Sequence, residues 1–180
     1  MKNTVGKGTI VSMDKVKKIK YNMDNLARLR VLELVISVAV ILTLLFTLVI
    51  GVATVSGSSM YPTLRDGQPV IFYRLEKDYS RGDVISVHMP NGEYLVKRVI
   101  AVAGDTVDLR GGVIYINGRP EAGDYPIDDT QPQKQSVEFP MLIEEGKIFI
   151  LGDNREVSVD SRTYGQFAVS QTRGRLLFTE

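Results

Sequence analysis

The sequence predicts an all-β domain of antiparallel sheet preceded by one transmembrane α-helix. Three observations carry this reading. One uncharged apolar run lies near the N-terminus, short β-branched and aromatic segments follow it, and turn dipeptides sit at the joints between those segments. With 180 residues the chain has room for one folded domain and its appendages.

The first 30 residues form a basic head. The net charge of +1 conceals an asymmetry. Residues 1–30 hold eight basic side chains (Lys2, Lys7, Lys15, Lys17, Lys18, Lys20, Arg28, Arg30) against Asp14 and Asp24, a net of +6. From Ser56 onward 14 basic residues face 18 acidic ones, a net of −4. A basic head can be an arm for nucleic acid. The apolar run directly behind it points to a membrane flank instead, and no nucleic-acid partner is expected.

Residues 31–55 are assigned to the span. From Leu34 to Val55 there is no charge, and only Ser37, Thr43, Thr47, Gly51 and Thr54 interrupt the aliphatics. As a helix these residues would reach roughly 33 Å, enough for a hydrocarbon core of about 30 Å. A soluble domain of this size rarely buries a helix that is apolar on every face. A cleavable leader would have a shorter core and a clearer small-x-small end than Ser56-Gly57-Ser58. The expectation is an uncleaved anchor in the lipid bilayer. Its basic flank places residues 1–30 in the cytoplasm and residues 56–180 outside.

Beyond the span the pattern is β. Val70-Ile-Phe-Tyr follows Asp66-Gly67. Val84-Ile-Ser-Val-His-Met and Glu93 to Ala103 flank Asn91-Gly92, a hairpin signal. Thr106-Val-Asp-Leu and Val113-Ile-Tyr-Ile flank Gly111-Gly112, and Asn117-Gly118 makes the next turn. Lys147-Ile-Phe-Ile-Leu and Arg175-Leu-Leu-Phe are later strands, and no useful helical periodicity appears after the span. Residues 123–140, rich in Pro and Asp, read as a surface loop or a reduced insertion. One His and no Cys exclude the usual zinc sites, so neither metal nor cofactor is expected.

The same composition restricts nucleophilic chemistry. A thiol nucleophile is impossible, and a Ser-His-Asp triad would rest on His88 alone. A neutral lysine can replace the imidazole as the base that activates a serine. Lys97 shares a strand face with Leu95, Val99, Ala101 and Ala103, and the opposite face (Tyr94, Val96, Arg98, Ile100, Val102) is also largely apolar. A strand covered on both sides would desolvate Lys97 and lower its pKa. For an arbitrary lysine, a snorkelling surface position is the commoner explanation.

Three segments, in this order behind a membrane span, resemble the bacterial type I signal peptidases, in a Gram-positive-like form. They are Ser58-Ser59-Met60-Tyr61-Pro62, Tyr94-Leu95-Val96-Lys97-Arg98-Val99, and Gly152-Asp153-Asn154-Arg155 continuing to Ser158-Val159-Asp160-Ser161-Arg162. The resemblance implies Ser59 as nucleophile and Lys97 as general base. It implies that Ser158 hydrogen-bonds the lysine amine and that Asp160 and Arg162 form an ion pair bracing the site. Gly57 stands where some members carry a serine that helps hold the oxyanion, which leaves the Ser59 N–H as the expected donor. Met60, Tyr61 and Leu95 are expected to touch substrate. The implied activity is cleavage of exported preproteins after a small-x-small signal-peptide site, with preprotein signal peptides as partners. In the endoplasmic-reticulum type a histidine replaces the lysine, but His88 lies at the wrong place for that role.

Two other readings fit part of this pattern. A self-cleaving Ser-Lys repressor-type protease shares the dyad and the β fold but needs a DNA-binding domain and an internal cleavage loop. A non-enzymatic membrane-anchored β domain has no need of a lysine in an apolar row.

The charge asymmetry makes a prediction about sidedness. An impermeant amine reagent applied to intact cells should label Lys134 or Lys147 and spare Lys15, Lys17 and Lys18. Labelling of the head with protection of the body would reverse the orientation.

Overall fold

The computed structural model describes residues 12–89, 92–123, 125, 129–133 and 137–177. The chain divides into two compact units, Met1–Phe46 and Thr47–Glu180. Among its described residues the first unit is helical. Helix α1, Met13–Val49, is 37 residues long, and its most apolar window has a mean hydropathy of 2.6 with no residue buried within the chain. By length and composition it is able to cross a membrane.

The helix ends earlier than the apolar run does. Ile50–Thr54, which hydropathy assigns to the span, form strand β1 and pair antiparallel with β2, Pro69–Tyr73. Hydropathy cannot mark this boundary, because Ile50, Val52 and Ala53 suit a half-buried strand as well as a helix. The backbone partners supplied by β2 decide it.

The remaining strands are β3 Val84–His88, β4 Tyr94–Val102, β5 Thr106–Arg110, β6 Val113–Ile116, β7 Arg119–Pro120, β8 Met141–Leu142, β9 Lys147–Leu151, β10 Phe167–Ala168 and β11 Thr172–Leu176. They form two antiparallel sheets. The larger runs β1-β2-β11-β3-β4-β9-β10 and the smaller β7-β6-β5-β8. The turn chemistry explains the hairpins. Asn117 and Gly118 both take positive φ (52° and 77°), the backbone that a tight two-residue hairpin turn demands. Met89 N–H donates to Glu93 O at 2.8 Å and closes the β3–β4 hairpin; Asn91 itself lies outside the described residues. One short helix, α2 Ser161–Tyr164, was not anticipated and is capped by the Asp160 side chain.

Three clusters make the core. Ile85, Val87, Val99, Ile148 and Ile150 pack on one side of the large sheet. Ile100, Ala101, Phe149 and Leu151 meet Val107 and Ile114 of the small sheet. Val55, Met60, Leu64, Val70, Phe72 and Leu176 form the third, which includes Met60, the residue after Ser59. Strand β4 serves all three, reaching the third through Val96, and its pairing with β9 slips between Val99 and Ala101. This bulge corrects the expected strand face. Leu95, Lys97 and Val99 alternate as read, but Ala101 joins the cluster of Ile100 while Val102 packs with Val99.

The 123–140 segment is only in part the surface loop expected. Thr130 is buried and Tyr125 packs against the second cluster. Residues 124, 126–128 and 134–136, Lys134 among them, lie outside the described residues.

Candidate active site

Ser59 is presented by a short turn that two kinds of residue make possible. Gly57 has φ +85°, which favours glycine, and its N–H donates to Asp66 Oδ1 at 2.8 Å. Behind Ser59, Met60 and Leu64 are buried in the third cluster and anchor the segment. Tyr61 N–H donates to Ser58 O at 3.0 Å, so the chain turns with Met60 inward and Tyr61 outward. Tyr61 is consequently exposed and is not among the residues lining the cleft, where the sequence leads one to expect a substrate contact. Met60 and Leu95 do line it. The cleft has a volume of about 220 Å³, with walls formed by β1, the Tyr94–Lys97 end of β4, Ser59 and Met60.

Lys97 lies on β4 between β3 and β9, opposite Ile85, and only 2% of it is exposed. Its Nζ donates to Ser59 Oγ at 2.7 Å. Burial brings the amine down from its ordinary 10.5 to about 8. The carboxylates of Asp160 and Asp153 oppose this, and the Arg162 guanidinium reinforces it. A neutral amine can accept the hydroxyl proton along the same 2.7 Å line. His88 is exposed, its ring 4.8 Å from Tyr94, and it is not part of the cleft wall.

The third segment wraps this pair from behind. Gly152 must be glycine because the approach is close: a Cβ there would lie 2.2 Å from Ser158 Oγ and 2.4 Å from the Ser59 carbonyl oxygen. Asn154 binds the serine segment twice, from its N–H to Ser59 O at 3.1 Å and from Nδ2 to Ser58 O at 3.2 Å. The expected bond from Ser158 to the lysine amine is not formed. Ser158 Oγ is buried with no hydrogen-bond partner among the described residues, while Lys97 Nζ is directed at Ser59.

Three buried arginine–carboxylate pairs fix the segment. Asp160 and Arg162 pair through two bonds of 2.9 Å, and Arg162 also donates to Ser158 O at 3.0 Å. Both side chains are buried, so this is no surface pair. The other two pairs were not foreseen. Arg98 grips Asp153 at 2.7 and 2.6 Å, and Thr63 Oγ1 donates to the same carboxylate at 2.5 Å. Arg155 grips Glu121 at 2.8 and 2.6 Å, bonds Thr130 Oγ1 at 2.8 Å, and donates to Gly152 O at 3.0 Å. Arg98 is therefore more than the basic neighbour of Lys97. The Asp153-Asn154-Arg155 sequence hinted at such anchors, but their partners at positions 98 and 121 are far away in the chain.

The chain is similar to known proteins. The family described as "Signal peptidase, peptidase S26" matches residues 28–179. A signal peptidase IB of Staphylococcus aureus is 35% identical over 172 residues, covering 82% of this chain and 88% of the relative. A signal peptidase I of Bacillus licheniformis is 34% identical over 119 residues, covering 60% of this chain and 63% of the relative. A solved signal peptidase I structure from Enterococcus faecalis, 31% identical, aligns over 55% of this chain and 97% of its own with a TM-score of 0.45.

The buried pairs predict a specific pattern of stability. Arg155→Leu strands the Glu121 carboxylate and should cost about 3–5 kcal/mol in denaturant unfolding. The double variant Arg155→Leu/Glu121→Leu should recover most of that loss. A double variant no more stable than the single one would show that the pair does not act as a unit.

Proposed function

Given that the chain belongs to the peptidase S26 family of signal peptidases, serine endopeptidases that cleave signal peptides, we propose that Ser59 and Lys97 carry the reaction as a nucleophile–base dyad. The observation that carries this is the 2.7 Å contact between Ser59 Oγ and a lysine amine almost wholly withdrawn from water.

In the first step the Ser59 hydroxyl proton moves to neutral Lys97 Nζ while Oγ bonds to the scissile carbonyl carbon. The carbonyl π electrons move onto oxygen, where the Ser59 N–H donates to the oxyanion. That N–H has no acceptor among the described residues and is available for the role. Collapse breaks the C–N bond, and the lysine ammonium returns its proton to the departing amine. Water then attacks the acyl-serine with Lys97 again as base, and the signal-peptide carboxylate leaves.

The substrate binds extended. Strand β1 is the outermost strand of the large sheet and borders the cleft, so it offers an edge for backbone pairing. The confined space beside Ser59 favours small side chains, in line with cleavage after a small-x-small site. Helix α1 anchors the enzyme in the bilayer with the basic head in the cytoplasm and the β domain outside. There the cut site of an inserted signal peptide emerges. The repressor-type and non-enzymatic readings lose their ground with family membership, since signal peptidases neither regulate DNA nor lack activity.

The pH dependence follows from the direction of the lysine shift. The base must be unprotonated, so activity is lost as pH falls below the amine's pKa and gained as pH rises through about 8. Ser59→Ala and Lys97→Ala should each abolish cleavage of a preprotein, and the double variant should be little worse. His88→Ala should leave the pH–rate profile in place. A Lys97→Ala variant keeping more than about a tenth of wild-type kcat would exclude Lys97 as the base, given the 10²–10⁴-fold worth of such a group. Loss of the basic limb in His88→Ala would transfer the role to His88.

A further inference from the structure

We infer that Asn154 is a positioning residue that aims the oxyanion-binding N–H of Ser59. The inference rests on the proposed dyad and extends it to the second half of the reaction's charge balance.

Asn154 holds both peptide groups that flank the nucleophile. Its side-chain Nδ2 donates to Ser58 O at 3.2 Å, and its backbone N–H donates to Ser59 O at 3.1 Å. In a trans peptide the carbonyl and the N–H point in opposite directions. Fixing Ser58 O therefore fixes the direction of the N–H on the far side of the same plane, which belongs to Ser59. The other donor to Ser58 O is Tyr61 N–H at 3.0 Å, from within the same turn, so among the described residues Asn154 is what ties the plane to the rest of the domain.

The Ser59 N–H has no acceptor of its own, as a donor awaiting a developing charge requires. With Gly57 in place of a hydroxyl-bearing residue, the site has no side-chain donor at that position. The accuracy of one backbone N–H then matters more than it would in a site with two donors.

Asn154 is itself held. Its neighbours Asp153 and Arg155 are the buried members of two ion pairs, gripped by Arg98 and Glu121. Asn154 thus transmits the position of a rigid, charge-anchored segment to the peptide in front of the nucleophile. It touches no reacting atom.

The test uses the full chain in detergent with a signal-peptide substrate and two variants, Asn154→Ala and the near-isosteric Asn154→Asp, which lacks the amide donor. Misaiming a donor should cost part of the roughly 10²–10³-fold that deleting one costs, so kcat should fall about 10- to 100-fold. KM should stay within about twofold, and the pH midpoint of the rate, set by Lys97, should not move. A substrate-like peptide aldehyde, whose serine adduct carries the oxyanion, should lose affinity in proportion to kcat/KM. The matching peptide alcohol should bind as before.

Wild-type kcat in both variants would overturn the inference. So would a loss shared between kcat and KM with a lowered melting temperature, since that marks a merely structural role. A shifted pH midpoint would assign Asn154 to the lysine instead. If Ser59→Ala and Lys97→Ala are inactive while the Asn154 variants are normal, only this inference fails. If Ser59→Ala stays active, the dyad itself is wrong.

Discussion

An amine taken out of water loses much of its hold on a proton, and the domain around Ser59 is organised by that cost. Bringing Lys97 from 10.5 to about 8 weakens its hold on the proton by about 3 kcal/mol relative to a lysine in water. The surroundings must supply this without also supplying an unbalanced anion. Two carboxylates, Asp160 and Asp153, lie near enough to pull the amine back towards its charged state. Each is gripped in turn by a guanidinium, Arg162 and Arg98, so neither faces Lys97 as a free negative charge. Burying such pairs adds little net stability, but removing one member leaves an uncompensated charge. The pairs therefore serve geometry and charge balance at the dyad.

The strand that carries Lys97 also explains why the base stays put. Strand β4 pairs with β3 on one side and β9 on the other, and it contributes to every core cluster. Ser59, by contrast, sits on a turn. Its position depends on what lies behind it: Met60 and Leu64 in the core, Gly152 allowing contact, and Asn154 holding the backbone.

Much of this was legible in the sequence, for reasons that are local. Asn117-Gly118 and Gly111-Gly112 encode their turns in adjacent residues, so the hairpins they join could be read directly. Lys97 in an apolar row announced its own burial. What was missed depends on residues far apart or on competition between elements. Strand β1 is hidden inside an apolar run that continues from the helix. The register slip of β4 is set by β9, some fifty residues away, and it moves Ala101 to the other cluster. The pairings of Arg98 with Asp153 and of Arg155 with Glu121 leave no spacing signal. Nor does the sequence show that the turn presenting Ser59 rotates the Tyr61 side chain to solvent.

The central claim is that the fold, by burying Lys97, lowers its pKa to about 8, so that a usable fraction of the amine is neutral near physiological pH. The most direct measurement is an NMR titration of the full chain carrying ¹³C-labelled lysine side chains, with the Lys97 resonance assigned by its absence in Lys97→Ala. The account predicts a single titration near pH 8, well below the ordinary 10.5 of a lysine amine. A Lys97 signal that titrates near that ordinary value would contradict it.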